Sequence, residues 1–154
     1  MHDVLVKLYV DVLDVLQGGR LDGAIFGFDN AIVAGSAGMG TDRLVTAIRP
    51  GGTVTWALSS LECEAYVNIA DLALPAWMEV DHVRANGRDY WQARVIGEPV
   101  ATTYDVTIEV GRYGRRLVHA GRFGLAPRHL VVPPGLSIAP GSPLRRPGRK
   151  RGAP

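Results

Sequence analysis

Short β-prone segments recur about every ten residues along this chain of 154 residues, most of them closed by a glycine- or proline-bearing turn. Thr53 to Ser59 alternates most cleanly, with Val54, Trp56 and Leu58 on one face and Thr53, Thr55 and Ser59 on the other. That period of two belongs to a half-buried strand. Thr102 to Val110 places Tyr104, Val106, Ile108 and Val110 inward, and Tyr90 to Ile96 does the same with Trp91, Ala93 and Val95. Further strands are read at Val4 to Val10, Ala24 to Asp29, Leu44 to Ile48, Ala65 to Leu72 and Arg115 to Ala120, with a last extended piece at Leu130 to Pro134. Arg49-Pro50-Gly51-Gly52 and Gly111-Arg112-Tyr113-Gly114 are turns, because proline presets one dihedral and glycine permits the positive one. Pro75 to Gly87 reads as a loop.

Residues 4–17 read as a strand followed by a two-turn helix rather than as one helix, since Val6, Tyr9 and Val10 disfavour helix. Val12, Val15 and Leu16 share a helical face, Asp11 is the N-cap, and Gly18 is the stop. The count predicts an all-β antiparallel β-sandwich of about eight strands with one short N-terminal helix. A parallel α/β fold would need crossover helices, which the pattern lacks.

Charge divides the chain. Gly141 to Pro154 holds five of the 17 basic residues and no acid, so the remaining 12 face 15 acidic residues, a net of −3 against +2 overall. The organisation expected is a sandwich domain over 1–135 and a disordered, basic, Pro/Gly-rich tail over 136–154. Nucleic acid or an acidic surface enters as a partner only through this tail. No apolar run approaches the ~18 residues that span a bilayer. The first residues lack the pattern of a secretory signal, and the lone Cys63 forms no disulfide within the chain, so the expected compartment is a reducing cytoplasm.

Chemistry-bearing motifs are weak. Gly35-Ser36-Ala37-Gly38-Met39-Gly40-Thr41 lacks the Gly-Lys-Ser/Thr ending of a phosphate loop and reads as a strand connection. Asp29 and Asp42 flank it without the oxygen spacing of a calcium loop. His2, His82, His119 and His129 show no metal-ligand spacing, and Glu62 and Glu64 beside Cys63 disfavour a thiolate. No catalytic, cofactor-binding or metal-binding residue is assigned, and no cofactor is expected. Trp56 and Trp91 belong to the core. Trp77, with Tyr90 and Tyr113, is the candidate ligand-binding set, since exposed aromatics on a sandwich stack on sugars or anchor a partner.

Ala24-Ile25-Phe26-Gly27-Phe28-Asp29-Asn30, the glycine-rich segment 35–41, Leu44-Val45, Pro50-Gly51-Gly52, Val54 to Ser59 and Tyr90-Trp91-Gln92-Ala93 together resemble the PixA/AidA inclusion-body protein family of bacteria. The resemblance runs over residues 3–135 and is densest in 24–60. The family tends to end on an aromatic, acidic segment, where this chain has Phe123 to Leu130 and then the basic tail. The resemblance implies a soluble, β-sandwich-like bacterial protein linked to intracellular inclusions or to population-density-regulated expression, and it transfers no functional residue. The expectation is a non-enzymatic, self-associating homo-oligomer, with a carbohydrate- or small-ligand-binding, lectin-like module as the alternative.

Overall fold

The computed structural model describes residues 3–63, 65–85 and 88–128. Nine strands occur among them: β1 (Val4–Val10), β2 (Ile25–Asp29), β3 (Val45–Ile48), β4 (Thr53–Ser60), β5 (Val67–Ala73), β6 (Met78–Ala85), β7 (Arg88–Val95), β8 (Thr102–Val110) and β9 (Arg115–Pro127). One α-helix, α1 (Val12–Gly18), links β1 to β2, and a 3-10 turn, Ile32–Ala34, follows β2. The strands form two sheets, β2-β1-β4-β7-β6 and β3-β9-β8-β5.

The expected all-β sandwich is borne out. Val6, Leu8 and Val10 from β1, Val54 and Trp56 from β4, and Ala93 and Val95 from β7 supply one wall of the core. Tyr104, Val106, Ile108 and Val110 from β8, with Phe123 and Leu125 from β9, supply the other. Those of β4, β7 and β8 are the inward positions that alternation picks out, whereas Phe123 and Leu125 lie beyond the strand expected at Arg115 to Ala120. The helix forms as expected. The Asp11 carboxylate accepts from the Asp14 amide at 2.9 Å, and Gly19, one residue beyond the expected stop, closes the C-terminus in the left-handed conformation. Glu62 adds a second cap, accepting from the Val12 and Leu13 amides at 3.1 Å each.

Three features differ from expectation. First, both sheets are mixed: β1 pairs with β4, and β3 with β9, in parallel. The chain between β1 and β4 returns through β3 of the opposite sheet, so no crossover helix is needed. Second, 78–85 is a strand, not a loop. As the edge partner of β7 it carries Glu79, Asp81, His82 and Arg84, and charge on an edge strand blocks pairing with other chains while hiding the strand's pattern. Third, β9 continues past Ala120. Its register against β8 shifts between Tyr104 and Val106, and Gly121 (φ 62°) sits in that bulge with its amide on the Asp105 carboxylate at 2.7 Å. The extended piece read at 130–134 and the tail lie outside the described residues.

The glycine-rich segment is a clasp between the sheets. Gly27 and Thr41 form one bridge, and Ala37 and Val45 form another. The loop therefore pairs with the outer edge of β2 in one sheet and of β3 in the other. Gly38 makes this possible. Its φ is 75°, and a Cβ there would stand 2.5 Å from the Arg43 carbonyl oxygen.

Candidate interaction face

Because Val6, Leu8 and Val10 point into the core, Leu5, Lys7 and Tyr9 stand on the outer face of β1. The same logic on β2 buries Ile25 and Gly27 and turns Phe26 and Phe28 outward beside them. Register sets Tyr9 opposite Phe26 and Lys7 opposite Phe28. The Tyr9 and Phe28 rings meet edge to face, centroids 5.8 Å apart. The Lys7 ammonium lies 5.2 Å from the centre of the Tyr9 ring, within cation–π range. Gly40 lies beneath Phe28, whose ring would be 3.3 Å from a Cβ at that position. Together with Leu61, just past β4, these side chains line a shallow apolar recess of about 590 Å³. Phe28 is 44% exposed and Leu61 53%.

Lys7 also belongs to a second hollow on the same side. The β4–β7 ladder stops at Trp56 opposite Trp91, while β4 runs on to Ser60. The sheet splits there, and a groove of about 680 Å³ opens, lined among others by Lys7, Ser59, Tyr66, Asn68, Asp89 and Tyr90. Asp89 is gripped by Arg84 at 2.6 and 3.1 Å, and these hydrogen bonds hold its carboxyl below the usual aspartate range. The result is a continuous outer face, apolar and aromatic at the β2 edge and mixed polar and aromatic at the split.

The structure does not bring the three expected site aromatics together. Tyr90 lines the groove. Trp77 is half-buried against the core in the turn before β6, its carbonyl accepting from the Ile96 and Gly97 amides at 2.9 and 3.2 Å. Met78 pairs with Val95 and Val83 with Tyr90, so Trp77 lies about 20 Å along the ribbon from Tyr90. Tyr113 is 98% exposed at the tip of the β8–β9 hairpin. Sequence reasoning missed Tyr9, Phe26, Phe28 and Tyr66. Phe26 and Phe28 stand two apart on a short strand, and that spacing alone places both on one face.

The other candidate residues make contacts within the chain, although Asp29 Oδ2 and His119 Nδ1 are buried without a hydrogen-bond partner. Asp29 accepts from the Ala31 amide at 2.8 Å. His119, fully buried on β9, has Nε2 2.8 Å from the Asp42 carbonyl; a carbonyl only accepts, so this nitrogen carries the proton. Its Nδ1 is 3.5 Å from the Asp22 carboxylate. Arg122 joins both acids, 2.9 Å from Asp42 and 3.2 Å from Asp22. The set ties the turn at 22–23 and the loop at 41–42 to β9. His82 stacks on Trp91, centroids 4.8 Å apart. His2 and His129 lie outside the described residues. Among the described residues no three His, Cys, Asp or Glu side chains are grouped to hold a metal ion, and no helix is long and apolar enough to cross a membrane.

A family model described as a domain of unknown function, DUF8788, matches residues 2–116. The crystal structure of an inclusion body protein (PixA) from Burkholderia cenocepacia J2315 is similar, with a TM-score of 0.61 at 9% identity, over 82% of this chain and 95% of that one. At that identity the likeness to PixA is one of fold. No curated protein matches the sequence.

Proposed function

This chain belongs to the DUF8788 family, and on that premise we propose that it is a non-enzymatic bacterial protein of the cytoplasm that associates with copies of itself. The observation that carries the reading is the exposed apolar recess of Tyr9, Phe26, Phe28 and Leu61. An apolar patch on an outer sheet face is the usual mark of a protein contact. The fold shared with a protein titled an inclusion body protein supports the same direction. Of the four sheet edges, the glycine clasp bridges β2 and β3 and charge guards β6, which leaves β5 as the one edge open to strand pairing and favours association through the outer face. Light scattering over a wide concentration range tests this. The wild-type mass is expected to rise with concentration. Phe28→Glu is expected to hold the chain monomeric and still cooperatively folded, with a melting temperature lowered only by the lost Tyr9 contact. A wild-type chain that stays strictly monomeric at high concentration would falsify the proposal.

A second reading, a lectin-like module for a carbohydrate or other small ligand, is favoured by the groove at the split, where Tyr66 and Tyr90 stand among polar side chains. A glycan array read with the wild type, Tyr90→Ala and Trp77→Ala checks it, and silence across all sugars removes it.

A further inference from the structure

We propose that His119 is a pH-operated latch, in which a second proton, taken up at Nδ1, draws Asp22 onto β9 and fastens the turn between α1 and β2. The geometry of the ring carries this inference, and it is independent of the outer face described above. Nε2 donates to the Asp42 carbonyl at 2.8 Å, so in the neutral imidazole Nδ1 holds a bare lone pair. That nitrogen is buried, has no hydrogen-bond partner, and lies 3.5 Å from a carboxylate oxygen of Asp22. Two acceptors set against each other in a buried site repel and leave a polar atom unmet, an arrangement that folded proteins rarely keep. A proton on Nδ1 turns the same contact into a donor facing an anion.

The surroundings favour that proton. Among the described residues, the charged groups packed around the ring are Asp22 from the turn before β2, Asp42 from the loop before β3, and Arg122 from β9 itself. Two carboxylates against one guanidinium leave a net charge of −1, which an imidazolium cancels. Arg43 stands behind Asp42 at 4.0 Å, but its side chain is 72% exposed and screened by water. Phe123, its ring 4.7 Å away, and Val106, opposite on β8, add no charge. Burial opposes the cation, and the accepting carbonyl and the two acids offset that cost. Asp22 has room to respond, since its side chain is half exposed in a turn. Closing the present 3.5 Å to the length of a charge-assisted hydrogen bond takes a shift of about 0.7 Å. The Gly23 amide, which donates to the Asp42 carboxylate at 3.1 Å, is the next backbone group and is held in place with it. The latch is therefore closed below the pH at which Nδ1 gives up its proton and open above it.

The test is nitrogen NMR of the full chain, isotopically labelled at histidine, from about pH 8 to about pH 5, the window in which imidazoles change charge. Contact with the Phe123 ring identifies the His119 signals. Nε2 is expected to carry its proton throughout, and Nδ1 to pass from a bare to a protonated nitrogen as the pH falls. Protection of the Gly23 amide, corrected for the pH dependence of free exchange, is expected to rise in step. Asp22→Asn is expected to lower the proton affinity of the ring about threefold or more, the loss of one half-exposed ion pair, and to uncouple Gly23 from pH. A ring that keeps one charge state across the window, a proton on Nδ1 with Nε2 bare, Gly23 protection that ignores the titration, or an Asp22→Asn chain that titrates like the wild type would each overturn the latch. Should Asp22→Asn not fold, the wild-type ring and the Gly23 amide decide alone.

Discussion

Trp56 is fully buried and gives its indole N–H to the Tyr104 hydroxyl at 3.0 Å across the two sheets. Burial drives the Tyr104 hydroxyl well above the usual tyrosine pKa, so it stays neutral and available as an acceptor. Tyr104→Phe leaves the indole donor unpaired in the core and is expected to cost about 1–3 kcal/mol, a fall of roughly 2–4 °C in Tm for each kcal/mol, read by calorimetry. Asp42 gives a second prediction. Burial raises its carboxyl pKa, but the Gly23 amide, Arg122 and His119 outweigh burial and bring it below the ordinary aspartate value. A carboxyl with a lower pKa folded than unfolded stabilises fully above the unfolded value, ~4, and loses that contribution as pH falls through the folded one. Asp42→Asn is therefore expected to lower stability at neutral pH and to flatten its decline below pH ~4 in an acid titration of the melting temperature. The inward placement of Trp56 is legible from alternation alone. Its partner is not, because the contact joins residues 48 positions apart.

At the scale of elements, the clearest strands are those with one wet and one dry face. β4 and β8 sit almost where alternation puts them, since each packs one side on the core and shows the other outward. β6 does not show in the pattern, because charged residues on an edge strand mask its alternation. Gly121 and Gly124 interrupt the pattern of β9, so its alternation ends before the strand does; the first serves the bulge, and the second lets Val45 approach to 3.2 Å from where a Cβ would stand. The glycine-rich segment was legible as a connection but not as a clasp, since its partners at Gly27 and Val45 belong to different sheets. Gly38→Ala tests the clasp. The positive φ and the clash with the Arg43 carbonyl are expected to cost more than 1 kcal/mol. Hydrogen exchange should then show lost protection at Gly27, Ala37 and Val45 before any loss in β8. Protection unchanged at those amides would mean that the clasp adds nothing to the edges.

For the molecule as a whole, charge and hydropathy act on different parts of the chain. Removing residues 141–154 changes the formal net charge from +2 to −3 and deletes no residue of the described core. We expect this truncation to leave the melting temperature unchanged and to abolish any salt-sensitive retention on nucleic acid. Retention that survives the truncation would assign it to the folded part instead. The sequence by itself determined that this chain makes two packed β layers with Trp56 and the β8 residues between them, because side-chain alternation is a local property carried by neighbours two apart. Only the tertiary structure decided which strands run parallel, which edges are covered, and that Tyr9, Phe28 and Leu61 on one face, or Asp22 and His119 at β9, come together. Those juxtapositions join residues tens of positions apart, and what selects them is the closing of two sheets on one core, which no short window of sequence records.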